Sequence, residues 1–74
     1  MKSEVVLERM TLKTARDRLG LNQIEAAKML GISVDTLGNY ERGKSYPDIP
    51  MLKQIEKVYK VSYDQIIFLN LNNA

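Results

Sequence analysis

Apolar residues recur every three or four positions along most of this chain, which is the spacing of one face of an α-helix. In the first such stretch, Leu12, Ala15 and Leu19 share a face with Arg16. Thr11 precedes the stretch, where its hydroxyl can cap a helix, and a glycine follows it. The pattern predicts a first helix that begins after Thr11 and ends near Leu19.

The next two apolar stretches are separated by very few residues. Asn22 and Glu25 have the spacing of a capping box, although the strict form begins with Ser or Thr. Gly31 can end this second helix in a left-handed conformation. Ser33 can cap a third helix that continues to about Glu41. The sequence therefore predicts two short helices joined by a tight turn.

Two further helices are predicted after the loop that contains Pro47. Asp48 is suited to cap a fourth helix, and Pro50 lies in its first turn, where a missing N–H costs nothing. Ser62 and Gln65 form the pattern of a capping box for a short fifth helix. The apolar residues expected in these two helices are Leu52, Ile55, Tyr59, Ile66, Ile67 and Leu69.

These elements add up to an all-α fold, a compact bundle of about five short helices. We divide the chain into an N-terminal arm over residues 1–10, a domain over residues 11–69 and a tail over residues 70–74. The arm could be extended, an edge strand or a false start of the first helix. A chain of 74 residues makes one domain that buries about 60% of the surface of its unfolded form.

Composition narrows the possible functions. The sequence holds no cysteine and no histidine, which removes thiolate metal sites and the commonest general base. We expect no enzyme, and no metal, cofactor or small-molecule ligand. The first ten residues lack the pattern of a signal peptide, and no segment reaches the ~18 apolar residues of a membrane span, so we expect a soluble cytoplasmic protein.

The charge gives weak support for a nucleic-acid partner. A net charge of +2 and a pI near 9.0 are mildly basic, whereas DNA-binding domains commonly cluster basic residues on one face. Acidic residues also fall in the central region, so a positive face has to be assembled in three dimensions, from residues such as Lys13, Arg42 and Lys44.

The central segment, LNQIEAAKMLGISVDTLGNYERGK over residues 21–44, resembles the phage repressor and Cro helix-turn-helix family. The matching residues are Asn22-Gln23, Ala27, Leu30-Gly31-Ile32-Ser33, Thr36-Leu37 and Tyr40-Glu41-Arg42-Gly43-Lys44. A less specific likeness covers roughly residues 11–69. The resemblance implies a lambda repressor-like DNA-binding domain whose recognition helix, about residues 33–41, enters the major groove. It further implies a transcriptional regulator, a repressor or Cro-like protein, that binds a double-stranded DNA operator as a homodimer.

The N-terminal residues of such a recognition helix reach the base edges. Asn suits bidentate contact with adenine, Asp accepts from cytosine, and Val can touch a thymine methyl. The candidate base-contacting residues are Val34, Asp35, Thr36, Gly38 and Asn39. The alternatives are that Asn39 is only a solvated polar residue and that Asp35 only stabilises the helix dipole. Gly38 departs from the polar residue that the family usually carries there.

The resemblance also implies phosphate contacts and one ion pair. The candidate phosphate-contacting residues are Asn22, Gln23, Ser33, Arg42, Lys44 and Ser45. The alternatives are simple capping for the first of these and a solvated basic loop for the last three. Arg16 lies on the inner face of the first helix, where an arginine is costly without a partner. The family pairs residues at these positions, here Arg16 with Glu41.

A protein-interaction module is the alternative from another class, such as an antitoxin or adaptor that uses the same fold to hold a partner protein. Weak basicity, acidic residues near the recognition helix, and Ile24 at a position that is commonly polar in the family support it. Phe68 or Leu69, if left on the outside, would form a dimer seam. Salt-dependent binding to random duplex DNA distinguishes the two classes.

Overall fold

Four α-helices and one short pair of strands make up residues 9–68, the part of the chain that the computed structural model describes. The predicted arm up to residue 8, the tail and Leu69 lie outside these residues. In chain order the elements are β1 (Met10–Thr11), α1 (Leu12–Arg18), α2 (Gln23–Leu30), α3 (Val34–Arg42), α4 (Ile49–Tyr59), a 3₁₀ turn (Tyr63–Gln65) and β2 (Ile66–Ile67). Over residues 9–68, no helix is long and apolar enough to cross a membrane.

Each of these helices begins at a side chain that accepts a hydrogen bond from its first turn. Thr11, Ser33 and Asp48 cap α1, α3 and α4. The predicted box at the start of α2 is complete. Asn22 Oδ1 accepts from the backbone N–H of Glu25 at 2.7 Å, and Glu25 Oε1 accepts from the backbone N–H of Asn22 at 2.9 Å. The N-cap residues predicted from the sequence for these four helices are therefore confirmed.

The turn between α2 and α3 depends on a left-handed residue. Gly31 has a φ of 75°, which a residue without a Cβ adopts at little cost. The backbone N–H of Ile32 then donates to the carbonyl of Ala27 at 3.0 Å, and the cap of α3 at Ser33 follows directly. Gly43 ends α3 in the same way, with a φ of 78°.

The core lies where α2 and α3 cross and are covered by α1 and α4. Ala26 and Ala27 are buried on α2, and their small side chains let α3 approach closely. Leu37 of α3 and Ile55 of α4 are fully buried. The buried apolar residues are Met10, Leu12, Ala15, Ala26, Ala27, Leu30, Leu37, Ile55, Tyr59 and Ile66.

The prediction of a fifth helix that contains Ile66 and Ile67 is wrong. Ser62 and Gln65 do form their side-chain contact, with the backbone N–H of Ser62 donating to Gln65 Oε1 at 2.9 Å, but only a 3₁₀ turn follows. Ile66 and Ile67 are extended, and Ile66 pairs in parallel with Met10. Two β-branched residues in succession favour a strand, and Met10 supplies both a backbone partner and a buried neighbour. The fold is therefore a small helical bundle with one parallel strand pair.

Leu19 also departs from prediction. It was expected on the inner face of α1, but it is 40% exposed. The helix ends at Arg18, and Leu19 is its C-cap with non-helical backbone angles. The side chain therefore leaves the helical face that the spacing assumed.

Truncation of Leu37 tests the position of the core. Leu37→Ala is expected to lower the free energy of unfolding by about 2–5 kcal/mol, because the site is fully buried and leaves a cavity. Urea denaturation measures the loss. The control is Ile24→Ala, since Ile24 is 70% exposed and its truncation should change stability by no more than about 0.5 kcal/mol. Equal losses in the two variants would contradict this packing.

Candidate nucleic-acid interface

The carboxylate of Glu41, near the end of α3, joins three parts of the chain. Arg16 Nε of α1 donates to Glu41 Oε2 at 2.7 Å, and Arg16 Nη2 donates to Oε1 at 3.1 Å. Gln23 Nε2, at the start of α2, donates to the same Oε1 at 3.0 Å. The side chains of Arg16 and Glu41 are only 8% and 5% exposed. We call these three residues the Glu41 network.

The guanidinium of Arg16 also holds the turn between α1 and α2. Arg16 Nη1 donates to the carbonyl of Leu21 at 2.8 Å and lies 3.4 Å from Asp17 Oδ1. The hydrogen bond to Glu41 raises the pKa of Arg16 above its ordinary value, although burial acts in the opposite direction. The arginine therefore stays charged and fixes the start of α2 beside the end of α3.

The exposed side of α3 carries the candidate base-contacting residues. Val34 is 38% exposed, and Asp35 is exposed in the first turn. The hydroxyl of Thr36 accepts a hydrogen bond from Ser33 Oγ at 2.9 Å and is half-buried. Asn39 is half-buried on the next turn. The structure thus presents the first turn of α3 to solvent, with Thr36 directed into the cap.

Gly38, a candidate base-contacting residue, is not exposed to solvent. It is buried, and a Cβ built on it would lie 3.1 Å from Arg42 Nη1, with the rest of that guanidinium next nearest. Arg42 Nη2 donates to Asn39 Oδ1 at 2.8 Å. Arg42 therefore folds back along α3 and covers Gly38.

Sequence reasoning missed this arrangement, although the signal was present. Gly38 and Arg42 are separated by four positions and Asn39 and Arg42 by three, so all three share one side of the helix. From its sequence position, Arg42 is predicted to lie in the loop that follows α3. Its position seven residues after Asp35 instead places it on the side of the candidate base-contacting residues.

The candidate phosphate-contacting residues lie at the two helix starts and in the loop after α3. Asn22 and Ser33 are exposed caps. Gln23 gives one amide hydrogen to Glu41 and keeps the other. The backbone N–H groups of Lys44 and Ser45 donate to the carbonyl of Asn39 at 2.9 and 3.4 Å, and Lys44 is exposed. The Glu41 network brings Gln23 next to the end of α3.

A buried tyrosine hydroxyl lies close to this network. Tyr59 is 2% exposed, and among residues 9–68 its hydroxyl has no hydrogen-bond partner. Burial raises the pKa of Tyr59 to about 12, with the charge of Glu41 adding to the rise and that of Arg16 opposing it. The phenol therefore stays neutral well above the pH at which a solvated tyrosine ionises.

Disruption of the ion pair tests the Glu41 network. Arg16→Met is expected to destabilise the fold by about 3–5 kcal/mol, because it leaves a buried carboxylate without its cation. Replacing both Arg16 and Glu41 by apolar residues should cost much less. A double-mutant cycle by chemical denaturation measures the coupling. Single variants that each lose less than about 0.5 kcal/mol, as surface substitutions do, would show that the pair contributes nothing.

Removal of the Tyr59 hydroxyl tests its environment. Between pH 10 and about 12 the unfolded chain loses the phenol proton and the folded chain keeps it, so stability falls as pH rises through this window. The fall attributable to this group is at most about 2–3 kcal/mol. Tyr59→Phe should remove it without lowering stability below pH 10, because the hydroxyl makes no hydrogen bond within residues 9–68, whereas Tyr63→Phe, at a site 61% exposed, should leave the alkaline fall intact. Identical alkaline curves for Tyr59→Phe and the parent protein would contradict the assignment.

Comparison with known proteins agrees with this geometry. A family model described as Helix-turn-helix matches residues 12–66. The chain is also similar to the HTH-type transcriptional regulator ImmR of Bacillus subtilis (strain 168), with 41% identity over 56 residues. That alignment covers 76% of this chain and 44% of ImmR, so the chain spans less than half of the length of this relative. No solved structure gives a significant match. With a family model covering most of the chain, the protein belongs to the phage repressor and Cro-like helix-turn-helix family.

Proposed function

We propose that this chain binds double-stranded DNA sequence-specifically, with α3 in the major groove, and regulates transcription as a homodimer. The observation that carries the proposal is the Glu41 network, which joins the start of α2 to the end of α3, while the first turn of α3 is left exposed. A helix that enters a groove has to be held at a fixed angle to the elements that grip the backbone. The name of the relative, a transcriptional regulator, agrees with this function.

The start of α2 supports a phosphate contact. Its first backbone N–H groups and its dipole favour an anion, and the free amide hydrogen of Gln23 lies at the same end. Lys44, exposed after α3, adds a cation on the other side of the recognition helix. Contacts of this kind orient the protein on the duplex, and the exposed residues of α3 are left to read the bases.

Exposed apolar residues in α4, in the 3₁₀ turn and in β2 support the homodimer. Ile49 is 66% exposed, Tyr63 61% and Ile67 44%. Phe68, proposed with Leu69 as a seam, is half-buried and packs edge-on against Tyr46, with 6.1 Å between ring centroids. We therefore place the seam at Ile67, the exposed residue that precedes Phe68, and a dimer fits the two-fold operators of this class of motif.

Salt dependence tests the DNA-binding proposal. If a dimer makes about four to six cationic phosphate contacts, the logarithm of its affinity should fall against the logarithm of salt concentration with a slope of about −4 to −5. Fluorescence anisotropy with a random-sequence duplex measures the slope. Lys44→Gln should make the salt slope of the dimer shallower by nearly two, because one cationic contact is lost in each subunit. The control is Lys60→Gln, at the C-cap of α4, which should leave the slope unchanged. An affinity that does not change with salt would favour the protein-interaction module instead.

A further inference from the structure

We infer that Arg42 and Asn39 act together as a reader of guanine in the major groove, so that Arg42 is a specificity-determining residue and not a phosphate contact alone. The inference rests on the proposed DNA-binding function. It names the base that the middle of α3 selects, which neither the family match nor the name of the relative specifies.

The Arg42 side chain points back along α3 towards Asn39. Arg42 ends α3, and an arginine there could extend into the loop towards the DNA backbone. Its guanidinium is instead held over the preceding turn by a 2.8 Å hydrogen bond from Nη2 to Asn39 Oδ1. The planar group is thereby fixed on the same side of the helix as Asp35 and Asn39.

The guanidinium of Arg42 lies in the space that the absent side chain of Gly38 leaves. The nearest atoms to a Cβ at this position are Nη1, Cζ and Nη2 of Arg42, the closest at 3.1 Å. A Cβ at this distance is tighter than an ordinary contact, so even alanine at position 38 would shift the guanidinium by a few tenths of an ångström. A glycine in mid-helix lowers helix stability, and seating of Arg42 explains its presence here.

The hydrogen-bonding groups that Asn39 and Arg42 present to DNA favour guanine over adenine. Bidentate recognition of adenine by Asn39 would use Oδ1 as an acceptor for the adenine amine. In this structure one of the two acceptor sites of Oδ1 is taken by Arg42. Most of the hydrogen-bonding groups that remain are N–H donors, from Asn39 Nδ2 and from Arg42. Guanine presents two acceptors, O6 and N7, in the major groove, and this donor-rich pair suits them better than it suits adenine.

The fixed position of the guanidinium also favours base reading over a loose phosphate contact. A free arginine loses considerable side-chain freedom when it binds. The exposed hydrogen bond to Asn39 restricts the guanidinium to some extent before DNA arrives. The exposed cation Lys44 remains available for the backbone, where a point charge on a flexible stem suffices.

Selection of bound sites from a random duplex pool, with wild type and Arg42→Lys, tests the inference. Lysine keeps the charge but lacks the planar fork. We expect the wild-type motif to contain a guanine in each half-site that Arg42→Lys selects at least about tenfold less strongly. Affinity for random duplex and its salt slope should remain close to wild type, because the phosphate contacts are unchanged.

Two further variants separate this reading from its alternatives. Gly38→Ala should weaken selection of the same guanine. The unfolding midpoint of this variant should be equal to that of the wild type or higher, since alanine favours the helix. Lys44→Gln, the matched control, should lower affinity for all sequences and leave the motif unchanged.

The outcomes are distinguishable from failure of the proposed function. If the wild-type protein selects no motif, both the function and the inference fail. If it selects a motif that Arg42→Lys retains in full, or one with adenine in place of the guanine, DNA binding stands and the Arg42–Asn39 reader is overturned.

Discussion

The arrangement of this small domain depends on one buried carboxylate. Glu41 accepts two hydrogen bonds from Arg16 and a third from Gln23, so α1, the start of α2 and the end of α3 meet at one side chain. Burying a charged pair brings little net stability, because desolvation offsets the attraction. Its effect is geometric, since bidentate hydrogen bonds permit one relative orientation of the joined helices.

The apolar core packs α2 against α3, and the Glu41 network orients the two helices. Ala26, Ala27 and Leu37 are buried where the two helices cross, and small residues allow a close approach but do not by themselves select a rotation. The directional contacts of Glu41 at one end, and the turn at Gly31 at the other, restrict that rotation. In motifs of this kind the recognition helix contacts base edges while the preceding helix crosses the backbone, so the two helices have to keep a set relative orientation.

The outer side of α3 shows a compromise between helix stability and surface shape. Glycine at position 38 is unfavourable within a helix, yet it leaves the room in which the Arg42 guanidinium lies. The residues of this side therefore act as a connected group rather than as separate polar side chains. In the free protein, Asn39 Oδ1 and Arg42 Nη2 are already hydrogen-bonded to each other, so each side chain offers fewer groups to a ligand than it would alone.

Features that depend on sequence neighbours could be predicted from the sequence, and those that depend on distant residues could not. The caps at Asn22 and Ser33 and the turn at Gly31 follow from hydrogen bonds and backbone angles within a few residues, so their spacing identifies them. The pairing of Ile66 with Met10 joins opposite ends of the described chain, and local capping at Ser62 could not reveal that a strand would replace the fifth helix. The burial of Gly38 and the direction of Arg42 were likewise decided in the folded structure, because residue type and spacing define which side chains can meet, whereas the surrounding packing and hydrogen bonds select the rotamer in which they do.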